Sequence, residues 1–203
     1  MTAFGANGQH QDARFEALDA SGQTVEGVAF VGCAFARCAL LETRFVACRF
    51  ERCAFGDGEL SAVRFDDCTL LGVDFARCKL LGVDWTRAKT SFRPLEVAFS
   101  RCALDGGVFE GLDLRAVRFA DCRAHRVEFG GANLSGVAFA RTDLAGATFS
   151  ETNLTGADFR TAKNYALHLA RNAVEGAKFS FPEAVTLLAP FGVEVDFGEG
   201  GRF

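Results

Sequence analysis

Large apolar residues recur along this chain at every fifth position. From residue 30 to residue 85 the series reads Phe30, Phe35, Leu40, Phe45, Phe50, Phe55, Leu60, Phe65, Leu70, Phe75, Leu80 and Trp85. It resumes out of phase at Phe99 and runs through Leu104, Phe109, Leu114, Phe119, Phe129, Leu134, Phe139, Leu144, Phe149, Leu154, Phe159, Leu169 and Val174 to Phe179. Only Ala124 and Asn164 interrupt it. Phe15 and Val25 fit the first series, so the pattern begins near residue 13. A second series, of small residues, lies two positions earlier: Cys33, Cys38, Thr43, Cys48 and Cys53, then Ala132, Val137, Thr142, Ala147, Thr152 and Ala157.

Neither a helix, with a period of about 3.6, nor a strand, with a period of 2, repeats every five residues. A chain that turns a corner every five residues does. Each short extended side then points one small and one large side chain inward. The other three positions, mostly Gly, Ala, Ser, Thr, Arg, Asp and Glu, form the turns and the wet surface. Identity also recurs every twenty residues. Phe99, Phe119, Phe139, Phe159 and Phe179 form one column, Leu114, Leu134 and Leu154 another, and Leu40, Leu60 and Leu80 a third. Four sides therefore close one coil, and like side chains stack at the strand spacing of ~4.8 Å. The predicted architecture is an all-β solenoid with a square apolar interior, stabilised mainly between neighbouring coils. The combed positions predict about seven coils and a rod ~35 Å long.

The pattern divides the chain into an N-terminal stack (1–85), a register break (86–98), a C-terminal stack (99–179) and a cap (180–203). The break contains TRAKTSFRP, with Pro94 and the cations Arg87, Lys89 and Arg93. A loop that interrupts a rigid scaffold is a common place for function. In the cap, Ser180 and Glu183 have capping-box spacing and Pro182 suits a first helical turn. The reading is a short helix with Leu187 and Leu188 on one side, stopped by Pro190 and Gly192, then a short strand through Val193 and Val195. A solenoid must cover its last coil. Leu187, Leu188, Phe191, Val193, Val195 and Phe197 make this cap apolar enough to predict a homodimer joined end to end about a two-fold axis.

All eight cysteines fall on the small inward series, and the first twenty residues do not read as a signal peptide. They read as reduced, buried small hydrophobes rather than as a disulfide frame or a zinc site. The expected address is the cytoplasm, and no run is long enough to cross a membrane. His10, His125 and His168 begin no ligand pair, and no phosphate-binding loop or nucleophile elbow occurs. No enzyme activity, cofactor or metal is expected. The net charge of −4 argues against direct nucleic-acid binding. By segment it is −4 over 1–85, +3 over 86–179 and −3 over 180–203. Two acidic strips stand out: Asp66, Asp67 and Asp84, with Arg44 and Arg64 nearby, and Glu110, Glu128 and Glu151.

The stretch GANLSGVAFARTDLAGATFSETNLTGADF (131–159) resembles the A-[DN]-L-x-x signature of pentapeptide-repeat proteins, with Asn133, Asp143 and Asn153 before the leucines. That resemblance implies a right-handed quadrilateral β-helix. LLGVDWT (80–86), SFRPLEVAFSRCALDGGVFEGLDL (91–114), TNLTGADFRTAKNYALHLARNAVEGAKF (152–179) and SFPEAVTLL (180–188) are similar to the subgroup that protects bacterial type II topoisomerases from poisons. The quinolone-resistance and albicidin-immunity proteins belong to it. The resemblance implies a dimeric rod that mimics DNA and engages DNA gyrase or topoisomerase IV; the acidic strips named above are the candidate contacts. Val at several small inward sites and Asn164 at a large one depart from the family pattern. Two other readings stand beside it: a scaffold or orphan repeat protein with another protein partner, and a carbohydrate-active solenoid.

Overall fold

The computed structural model describes residue 4 and residues 8–90, 93–193 and 195. The chain is a parallel β-solenoid. Its strands are β1 (Gln9–Gln11), β2 (Arg14–Glu16), β3 (Thr24–Glu26), β4 (Ala29–Val31), β5 (Ala34–Ala36), β6 (Arg44–Val46), β7 (Arg49–Glu51), β8 (Ala54–Gly56), β9 (Arg64–Asp66), β10 (Thr69–Ala76), β11 (Glu96–Ser100), β12 (Arg118–Ala120) and β13 (Phe139–Ala140). Each pairs in parallel with the strand one coil on, as Phe30 with Phe50, Phe35 with Phe55 and Phe45 with Phe65. Toward the C-terminus several sides shorten to single parallel bridges, such as Asp113 to Asn133 and Asn133 to Asn153.

Four sides follow one another around the coil. The first carries Phe30, Phe50, Leu70, Leu95, Leu114, Leu134 and Leu154 inward, and the third carries Leu40, Leu60, Leu80, Leu104 and Leu144, all buried. The second holds nine phenylalanines in one file, Phe15, Phe35, Phe55, Phe75, Phe99, Phe119, Phe139, Phe159 and Phe179. Their ring centroids are 4.4 to 5.5 Å apart and their planes are within 23°. The fourth stacks Phe45, Phe65, Trp85, Phe109, Phe129 and Phe149 at 5.1 to 5.8 Å. The two files meet edge-on across the core, as Phe119 does with Phe129 at 6.0 Å and 87°. Stacked within a file and edge-to-face between files, the rings use both favourable aromatic geometries.

The small inward positions do a second job. Cys48, Cys53 and Cys68 donate their thiols to the carbonyls of Val25, Phe30 and Phe45 at 3.3 to 3.4 Å. Thr43 and Thr152 make the same bond to Ala20 and Phe129 at 2.9 and 3.0 Å. Cys and Thr are thus small residues that also serve a backbone acceptor in the dry interior. All eight thiols are free and buried. Gly58 holds such a position because a Cβ there would lie 2.8 Å from Leu60 Cδ1 and 3.2 Å from the Cys38 carbonyl.

The register break is one enlarged coil. Asp84 bridges to Val108 and Lys79 to Ala103, a separation of 24 residues rather than 20. Ala88 still takes the small inward site, and Lys89 still donates to the Cys68 carbonyl at 2.8 Å. The extra residues leave the first side only after that and return at the buried Leu95. A shift in pairing between Leu71 and Val73 removes one residue on re-entry, and β10 pairs directly with β11.

Three local expectations are corrected. Asn164 is not an inward residue. It is exposed in a left-handed turn (φ 56°), while Tyr165 and Leu167 enter the core at 3% and 2% exposure. A polar amide gains nothing in a file of Leu and tolerates the left-handed turn well. The capping box is not formed: the C-terminal segment is a 3-10 helix, Glu183–Phe191, with Pro182 at its N-cap and no side-chain cap. Ala184 N–H bonds the Ser180 carbonyl instead, Pro190 lies inside the helix, and Gly192 ends it in a left-handed conformation. Val193 and Val195 carry no strand, and Glu194 and 196–203, with Phe197, lie outside the described residues. At the opposite end Phe4, unmarked by the periodicity, is buried edge-on against Phe15 and Phe30 and covers the first coil.

Candidate functional site

A square rod offers its sides, corners and ends as surfaces for function. All six acidic residues singled out from the sequence lie on the fourth side. Asp84 and Glu128 occupy its outward mid-side position, Asp66 and Glu110 follow the buried ring, and Asp67 and Glu151 sit at the corner. The pairings of β6 with β9 and the bridges from Asp84 through Val108 and Glu128 to Thr148 align them along one face.

Their environments differ. Asp66 is a clamp, with a side chain only 11% exposed. It accepts from Arg44 Nε at 2.6 Å, Arg64 at 3.0 Å and Arg87 at 3.4 Å. Burial pushes its carboxyl up, but the Arg44 hydrogen bond and the Arg64 and Arg44 charges outweigh it and hold it below the usual carboxylate range. Asp84 accepts from Arg87 Nε at 3.0 Å and from the Thr86 N–H at 3.1 Å. These two carboxylates are already neutralised. Asp67, Glu110, Glu128 and Glu151 are exposed and, among the described residues, make no ion pair. Glu26 joins them on the same side. That side carries seven acids and four cations, a net −3, over its outward positions from Thr24 to Arg171.

The loop cations part company. Arg87 folds back onto Asp84 and Asp66 and is committed to the rod. Lys89 and Arg93 are exposed, beside Pro94 and Thr90. Phe92 lies outside the described residues. In the cap, Leu187 is buried at 5% and belongs to the chain's own core, whereas Leu188, Phe191 and Val193 are 38%, 51% and 50% exposed. Neighbours in a 3-10 helix point about 120° apart, so Leu187 and Leu188 cannot share a side. Val195 is half-buried, and Phe181, which the sequence reading did not single out, is 71% exposed.

His10 lies flat on Phe30 at 5.3 Å, and His168 packs beside Phe191 at 5.5 Å. His125 Nε2 lies 3.1 Å from Asp143, which also accepts from Asn164 at 2.8 Å. No three metal-ligating groups converge among the described residues. No helix among them is long and apolar enough to cross a membrane.

One pattern escaped the sequence reading. Behind six successive phenylalanines of the second side, two residues on, the corner carries Arg37, Asp57, Arg77, Arg101, Asp121 and Arg141. All six are in left-handed conformation with φ between 51° and 56°. Arg77 grips Asp57 at 2.6 and 2.7 Å, and Arg141 grips Asp121 at 2.5 and 2.7 Å. A period of twenty applied to the corner position would have found the column.

The family model for the pentapeptide repeat region matches residues 28–106 and 92–179. The chain belongs to the pentapeptide-repeat family. Among solved structures it is similar to QnrB1, a plasmid-mediated fluoroquinolone resistance protein. A trypsin-treated, singly substituted form of QnrB1 is 20% identical with a TM-score of 0.63, over 96% of this chain and 94% of that one. The full-length form is 19% identical with a TM-score of 0.58, over 91% of this chain and 100% of that one. At this identity the likeness is one of fold. No curated protein matches the chain by sequence.

Proposed function

We propose that this repeat protein is a non-catalytic binding protein that engages bacterial DNA gyrase or topoisomerase IV and relieves their inhibition by poisons. The observation that carries the proposal is the fourth side: a straight face on which Asp67, Glu110, Glu128 and Glu151 stand exposed and, among the described residues, outside any ion pair. Such a face complements a basic DNA-binding groove. The fold shared with a fluoroquinolone resistance protein supports the same reading. In this proposal the C-terminal patch of Phe181, Leu188, Phe191 and Val193 joins two copies, which doubles the length of the acidic face.

The test is a supercoiling and cleavage assay with purified gyrase, with and without a fluoroquinolone. The wild-type chain is expected to restore supercoiling and lower cleavage complexes, and a Glu110→Lys, Glu128→Lys, Glu151→Lys variant to lose both effects while melting normally. No effect of wild type at micromolar concentration, with either enzyme or with an albicidin-like poison, overturns the proposal.

A further inference from the structure

The rod is electrically two-sided across its width. The second side, opposite the acidic fourth, carries eight cations and five acids over its outward positions from Arg14 to Phe181, a net +3 in a chain of net −4. Each acid there is held by an arginine of the same side, as Asp57 by Arg77, Asp121 by Arg141 and Asp158 by Arg160. Arg101 and, four coils on, Lys178 have no ion-pair partner among the described residues, and Arg14 and Arg37 share Glu16. Arg101 stands one coil from Arg77, whose guanidinium Asp57 already occupies. Arg118, on the next coil, is 77% exposed and touches Asp74 only at 3.7 Å.

Two further features mark this side. Between the charges it is smooth: Ala34, Ala54, Ala98 and Ala138 hold outward mid-side positions along the sheet. Its corner also carries six consecutive charged residues, Arg37 to Arg141, where the other three corners mix glycine, as at Gly72, Gly106 and Gly131, with alanine and scattered charges.

We propose that the second side is a docking surface for an acidic protein partner, with Arg101 and Arg118 at its centre. The charge pattern favours a protein over a nucleic acid. A phosphodiester chain presents negative charge without gaps and would meet Asp57, Asp74, Asp121 and Asp158 along the same face. A protein surface or extended segment can place its carboxylates against Arg101 and Arg118 and leave the acids unopposed. The flat, small-residue surface admits close approach without rearrangement. The proposal does not depend on the fourth side or on any topoisomerase.

The probe is a fluorescein-labelled decaglutamate peptide, followed by anisotropy against the full chain at low salt, with a short duplex DNA as the second arm. The wild-type chain is expected to bind the peptide and to bind the duplex more weakly. Arg101→Glu with Arg118→Glu is expected to weaken peptide binding at least about tenfold. Arg101→Gln, which removes one charge and adds none of the opposite sign, is expected to weaken it less. Arg126→Glu with Lys163→Glu, the same charge change on the third side, is expected to leave it nearly unchanged. Melting temperatures of all variants separate lost binding from lost folding. Failure of the wild type to bind the peptide, tighter binding of the duplex, or equal loss from the third-side variant each overturns the proposal.

Discussion

At the scale of the residue, the fold rests on a sharp difference between inward and outward positions only a few residues apart. Phe119 is 1% exposed, stacked between Phe99 at 5.5 Å and Phe139 at 5.2 Å, and edge-on to Phe129. Arg126 is exposed at a corner. Phe119→Ala opens a void in a file that cannot close, because backbone hydrogen bonds between coils fix the rise. It is expected to cost about 3–5 kcal/mol. Arg126→Ala is expected to stay within about 0.5 kcal/mol. Chemical denaturation of the two variants checks the assignment, and equal midpoints would contradict it. This contrast was legible in the sequence because burial has a fixed phase. Asn164 was not: the five-residue comb assigned it inward, but it follows Lys163, the last third-side residue bridged to the coil below, and there the chain departs locally from the repeat before Ala173 and Lys178 rejoin it. Phe4 was illegible for a related reason. It plugs an end, and a single covering residue has no period.

At the scale of the element, side chains stitch coils that the backbone already pairs. Asp66 ends β9 and takes hydrogen bonds from Arg44 of β6, Arg64 of its own strand and Arg87 of the 3-10 turn Trp85–Arg87 above. One carboxylate therefore ties three successive coils just below the enlarged one. Removing its charge leaves three guanidinium groups facing one another. Asp66→Asn is expected to cost about 1.5–3 kcal/mol, the range for hydrogen bonds to a charged group. The pH dependence has a definite sign. The folded carboxyl is held below its unfolded value, so its stabilisation is present above the unfolded carboxylate range and is lost as pH falls through the folded value. Melting curves from neutral to acid pH are expected to show a smaller acid loss in Asp66→Asn than in wild type. Parallel acid limbs would exclude Asp66 as a contributor. The sequence placed Arg44 and Arg64 near Asp66. It did not show that Arg87, read as a loop cation, turns back to complete the clamp, because the coil enlarges only after Ala88.

At the scale of the whole molecule, the ends decide what the rod can become. A parallel solenoid presents unpaired strand edges at both termini, and each must be covered. Phe4 covers one. At the other, Tyr165 and Leu187 close the core, yet Phe181, Leu188, Phe191 and Val193 remain exposed on the outer surface. A cap needed only for closure would bury its apolar residues inward, as Leu187 does, and face solvent with charge, whereas an apolar outer surface at the end of a rod fits a second copy. A two-fold contact at that end closes on itself and stops at two. Light scattering of the full chain is expected to give twice the chain mass of 21.8 kDa at micromolar concentration. Phe191→Asp with Leu188→Asp is expected to give a single chain mass with a smaller fall in melting temperature than a buried substitution causes, since both side chains are partly exposed and Phe191 gives up only its contact with His168. Leu187→Asp is expected instead to loosen the cap and lower the melting temperature, because it buries a charge. A wild-type particle of one chain mass would rule the dimer out. It would also cut the acidic face to half its proposed length.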